Sequence, residues 1–128
     1  MKLKNFLIIA SVVPALFGLS LLFSPASLMQ TNGLAVSGSA IVFAQGVGGL
    51  LIGLAVINWY AKKDTDSPII KGVLIGNILV HLIALVTDAM AISQHVITKN
   101  PAFSLVVHGV FVLAFGYYFL NKKHTQTA

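Results

Sequence analysis

Apolar residues along the chain gather into four long blocks rather than into periodic stripes: Phe6 to Phe23, Val36 to Tyr60, Ile69 to Ile92 and Ala102 to Leu120. Crossing a hydrocarbon layer of ~30 Å takes about 20 helical residues, and each block has roughly that many. Lipid offers no water to satisfy a backbone N–H or C=O, so a block that crosses it must be helical. The pattern predicts an all-α fold, a left-handed four-helix transmembrane bundle made of two tandem helical hairpins. Its helices are expected at about 6–23, 36–60, 68–92 and 101–120, within one integral membrane domain spanning 1–128.

The breaks between blocks carry helix-start and turn chemistry. At Ser67-Pro68 and Asn100-Pro101 a capping side chain precedes a proline that needs no N–H partner, which marks the starts of the third and fourth helices. Ser24-Pro25 and Thr31-Asn32-Gly33 are turn formers in a connection without any charge.

Composition removes the soluble alternative, since 57% of residues are apolar, 9% are charged and the mean hydropathy is +0.92. One 128-residue domain in water has too little interior to hide that much apolar surface. The absence of cysteine excludes disulfides, thiolate metal sites and cysteine nucleophiles. A net charge of +5 would suit nucleic acid, yet the lysines lie at the ends of the blocks without interleaved aromatic residues, so no nucleic-acid partner is expected and the partner is a lipid bilayer. Lys2, Lys4, Lys62, Lys63, Lys71, Lys122 and Lys123 flank one face and Lys99 alone the other, which places both termini and the 61–67 connection in the cytoplasm. Trp59, Tyr60, Tyr117 and Tyr118 fall where an interfacial aromatic belt belongs. A cleaved signal peptide is the alternative for the first helix, because Ser24-Pro25-Ala26 loosely resembles a cleavage site. The 18-residue apolar core, longer than the usual h-region of about 7 to 15, argues for a retained span.

Helices in lipid associate through small residues and through polar side chains that bond across the interface. The first helix has Ser11, Ala15 and Gly18 along one side, the second carries Gly38, Gly46, Gly49 and Gly53 at helical spacing, the third Gly76, and the fourth Gly109 and Gly116. Gly46, Gly49, Gly53, Gly76 and Gly109 are accordingly expected at helix contacts, with Gly49-x-x-x-Gly53 also open to a homodimer. Pro14 in the first helix releases a backbone carbonyl and should bend it. Gly49 and Gly109 also align, each followed by a Lys-Lys pair, as in a weak parallel repeat.

The third helix carries the strongest chemical signal, because Asn77, His81 and Asp88 recur at spacings of four and seven and so share one face. Ionisable groups within a span are costly, face the bundle interior and pair there. At ~1.5 Å per residue His81 lies near the midplane and Asp88 roughly 10 Å nearer the outer surface. His108 on the antiparallel fourth helix falls between those levels, and Gln45 at a comparable outer depth. A polar cluster of Gln45, His81, Asp88 and His108 is therefore expected, with Asn77 extending it inward. It has four readings: a hydrogen-bonded pair fixing helix register, a titrating pair that handles protons or a cation, a haem bracketed by His81 and His108, or a zinc or copper site. His81 and Asp88 lie too far apart on their helix to share one ion easily. No nucleophile with its base, and no phosphate loop, can be read, so neither an enzyme nor a bound cofactor is expected.

Ala44-Gln45 through Gly48, Gly53 and Asn58-Trp59, followed after Pro68 by Gly76-Asn77 and His81, resembles small four-helix bacterial membrane proteins, loosely similar in size and topology to the DoxX-like group. That resemblance implies a bacterial inner-membrane location and brings no activity. It also implies a basic residue where this chain has Gln45, so an ion pair with Asp88 at that position would be missing. The sequence thus leads to a binding or accessory membrane protein, homo-oligomeric or attached to a larger complex. A small proton-coupled carrier is the alternative, and a membrane redox subunit using haem or quinone the third.

Overall fold

A computed structural model of the chain describes residues 1–122, so Lys123 and His124 lie outside the described residues. Five helices follow in order: α1 Leu3–Phe23, α2 Pro25–Thr31, α3 Gly38–Ala61, α4 Ile69–Ser93 and α5 Pro101–Lys122. No strand occurs among the described residues. Four of the helices, all but α2, are long and apolar enough to cross a membrane. Their outward faces suit lipid, with Phe23, Phe43, Leu50 and Leu113 all at least 75% exposed. The four-helix bundle read from the apolar blocks is present, and each helix boundary lies within three residues of its expected place.

The short helix α2 differs from expectation, since that stretch reads as turns. Pro25 stands at its first position, where a missing N–H costs nothing, and the apolar Leu28 and Met29 turn inward from an uncharged connection. The third long helix starts one residue later than read, with Pro68 at the N-cap instead of Ser67; Ser67 Oγ still accepts from Ile69 N–H at 3.3 Å, and Asp64 Oδ1 accepts from Ser67 N–H at 3.2 Å.

Helix α1 packs along α3, α4 packs along α5, and α1 also buries side chains against the second pair. At the end of the bundle that carries Lys2, Lys4, Lys62, Lys63 and Lys71, the core is Leu3, Phe6, Leu7 and Ala10 of α1, Ile70 and Leu74 of α4, and Phe111 and Phe115 of α5. Phe6 meets Phe115 edge-on at 4.7 Å and stacks on Tyr118 at 5.1 Å. Lys62 and Lys63 place their ammonium groups over Trp59 and Tyr60 at this same end.

Helices α1 and α3 approach closely at Gly18 and Gly48. A Cβ on either would lie 2.7 Å from the other's carbonyl oxygen. Gly18 stands on the small side expected of the first helix, whereas at the other expected packing glycines, Gly46, Gly49, Gly53, Gly76 and Gly109, an added Cβ would meet nothing within 4 Å. Glycine spacing alone marks several possible faces of α3, and α1 uses the one through Gly48, Ala55 and Asn58. The face through Gly46, Gly49 and Gly53 points outward.

Candidate functional site

Just above the aromatic core, a proline and two asparagines join three helices. Pro14 has no N–H to give the carbonyl four residues back, and that carbonyl, of Ala10, accepts instead from Asn58 Nδ2 at 3.0 Å. Asn58 Nδ2 also donates to Asn77 Oδ1 at 2.9 Å, and Asn77 Nδ2 returns the bond to Asn58 Oδ1 at 2.8 Å. Asn77 completes its set by donating to Val73 O at 2.8 Å. Both amides are fully buried. Asn77 was expected as the inward extension of a polar track, whereas its partner Asn58 was not singled out. The signal for it was a lone amide in an apolar span, at Asn77's depth, opposite a helix with an interior proline.

One turn outward on the same face, His81 stacks flat on Phe111 at 4.6 Å and 7°. Its Nδ1 faces Nδ1 of His108 at 2.9 Å, so one ring donates and the other accepts. Nε2 of His108 lies 3.7 Å from Asp88 Oδ2, an ion-pair distance but too long for a hydrogen bond. Ser104, one turn before His108 on α5, donates its hydroxyl to the same Asp88 oxygen. The order is thus Ser104, Asp88, His108, His81. Three of its members stand together as expected from the sequence, and Ser104 was missed although its spacing of four from His108 puts it on the same face.

Gln45 does not join them. It is exposed on α3 and donates to Leu22 O at 3.2 Å, near the end of α1. Equal depth was the argument for including it, but α3 leans on α1 rather than on the α4–α5 pair, and depth does not determine which neighbour a side chain meets. No group of three or more histidine or acidic side chains converges as a metal site among the described residues. The two facing Nδ1 atoms bond to each other, so bracketing a haem iron would require both rings to turn apart.

The cluster forms one wall of a cavity of about 550 Å³ in the half of the bundle away from the lysine-rich end. The other walls are chiefly apolar, including Val13 and Phe17 of α1, Leu51 of α3, and Phe103 and Val107 of α5. Leu28 and Thr31 of α2 and Asn32 just after it line it at one end, opposite Ile97 and Asn100 of the α4–α5 connection. The two connections are tied into one cap: Lys99 N–H donates to Asn32 O at 3.2 Å and Thr98 Oγ1 to Gly33 O at 3.1 Å. Gly33 adopts φ +71°, the left-handed region that favours glycine, and a Cβ there would run into Thr98 Oγ1.

No protein family, curated protein or solved structure matches this chain.

Proposed function

We propose that this chain is a binding protein of a bacterial cytoplasmic membrane, taking up a small amphipathic molecule from the bilayer as an accessory component. The observation that carries this reading is the cavity of about 550 Å³, apolar on most sides, with the ionisable side chains and Ser104 gathered on one wall (His81, Asp88, Ser104 and His108) and only the neutral Thr31, Asn32 and Asn100 at the cap. That division of surface suits a ligand with an apolar body and one polar head, since ligand sites combine apolar walls with a few placed polar groups. The membrane and its orientation rest on the lysine distribution and on the bacterial proteins that the sequence resembles.

A second reading, a small proton-coupled carrier, is favoured by one feature: Asp88 is not sealed, its side chain remaining 20% exposed beside a histidine. Binding is the step that both readings share. It is tested with the full chain in lipid nanodiscs and the neutral fluorophore 1-aminoanthracene. Saturable binding above that of empty nanodiscs is expected, and Val107→Trp, which fills the cavity, should weaken it tenfold or more. Leu113→Trp on the outward face serves as control. Equal binding by both variants would refute the site.

A further inference from the structure

We propose that the ligand of this cavity is a lipophilic organic cation, held at Asp88 in exchange for a proton carried by His108; the proposal rests on the cavity's being a binding site. Asp88 is the sole acidic residue in a membrane-spanning helix, and a carboxylate there needs a counter-charge. Ser104 and His108 both approach the same oxygen, Oδ2, and the carboxyl group stays partly exposed in the cavity wall.

The charge balance around it is simple. The cavity-lining residues of α1, α2 and α3 include no ionisable side chain, α4 gives His81 and Asp88, and α5 gives His108. His81 is committed to its hydrogen bond with His108, so the internal counter-charge available to Asp88 is the imidazolium of His108. With that proton the pair is neutral, and without it the cavity holds one uncompensated negative charge. A cation entering beside Asp88 therefore takes the role of the His108 proton, one positive charge for another.

The rest of the cavity chooses the kind of cation. Phe17, Phe103 and Phe111 line it, and Phe17 lies 6.3 Å from Phe103. Aromatic faces attract cations that have shed their water, organic cations above all. A small metal ion would lack ligands, since no further acidic or histidine groups converge among the described residues. An anion would meet the carboxylate directly.

The test uses the full chain in lipid nanodiscs, with empty nanodiscs as background, and two probes of one shape and opposite charge, tetraphenylphosphonium and tetraphenylborate. Saturable binding of the phosphonium alone is expected, with release of a proton into weak buffer. Its affinity should rise with pH by up to about tenfold per unit, the limit for one proton exchanged, and His108→Gln should flatten that dependence. Asp88→Asn should weaken phosphonium binding tenfold or more while 1-aminoanthracene still binds, which also certifies the fold of the variant. Asp88→Glu, which keeps the charge, should retain phosphonium binding and replaces Asp88→Asn as the comparison if the latter does not fold. Equal binding of phosphonium and borate, or undiminished phosphonium binding by Asp88→Asn, overturns the proposal while leaving the cavity a binding site. If 1-aminoanthracene does not saturate either, the binding reading itself falls, and this one with it.

Discussion

Asn58→Leu replaces a fully buried amide with an apolar side chain of similar size, and the structure gives the cost. Three hydrogen bonds disappear, one to Ala10 O and two shared with Asn77. Side-chain hydrogen bonds between membrane helices average about 0.6 kcal/mol, so their loss amounts to about 2 kcal/mol. The two shared bonds couple Asn58 to Asn77. In a double-mutant cycle with Asn77→Leu, the double variant should therefore be about 1 kcal/mol more stable than the two single losses predict, because the second substitution removes an amide already stranded by the first. A separate cycle tests the proline. Pro14→Ala restores the N–H that satisfies Ala10 O within α1, so it should offset about 0.6 kcal/mol of the Asn58→Leu loss, the share of one such bond. The assay is reversible unfolding in mixed detergent micelles, followed by helical circular dichroism. Additive losses in the Asn58–Asn77 cycle would show that the amides do not bond in the membrane. Additivity in the Pro14 cycle would show that Asn58 does not serve the Ala10 carbonyl.

Two further predictions concern packing and orientation. Gly18→Ala or Gly48→Ala should cost about 1–3 kcal/mol in the same assay, since the new methyl group meets a backbone oxygen that cannot yield, whereas Gly49→Ala should change monomer stability little; the reverse ranking would place the α1–α3 contact on another face. With no native cysteine to interfere, single cysteines at Lys63 and Thr98 in intact cells should differ in labelling by an impermeant maleimide, only Thr98→Cys reacting from outside; labelling of Lys63→Cys from outside would invert the bundle.

The number of membrane-length helices, and their ends to within a few residues, were legible because the requirement that lipid-embedded backbone be hydrogen-bonded leaves few options, and blocks of apolar residues report it directly. The face of α4 was legible too, since the spacing of Asn77, His81 and Asp88 follows one side of a helix, and the bundle buries Asn77 and His81 on that side and turns Asp88 into the cavity wall. Helix neighbours were much less so. Gly48 and Gly49 are adjacent, and nothing in their own positions says that the first meets Gly18 while the second faces outward. Gln45 failed for the same reason, because α3 presents it near the end of α1. Asn58 required two observations to be joined: an orphaned carbonyl behind Pro14 and an amide at the matching depth on another helix. The cap of α2 and the α4–α5 connection was beyond reach, since its ties run between backbone and side-chain atoms of two loops 65 residues apart.

The two polar layers of the bundle differ in what they leave unspent. In the layer of Asn58 and Asn77 every amide N–H is used: each asparagine gives one to the other and one to a backbone carbonyl, and each amide oxygen accepts the returning bond. Such a layer has no free donor for a ligand and no group that titrates, so its role ends with holding α1, α3 and α4 in register. In the layer of Asp88, His108 and His81 the bonding is incomplete. The carboxylate stands beyond hydrogen-bond distance from the imidazole, and both groups open onto the cavity. A carboxylate within a membrane span that lacks a hydrogen-bonded counter-charge is costly unless something completes it. In this chain the incomplete layer is the one that lines a space of molecular size, and the complete layer is sealed between helices. The same physical rule, that polar groups in lipid must be answered, thus separates the residues that hold the bundle together from those that await a partner from outside it.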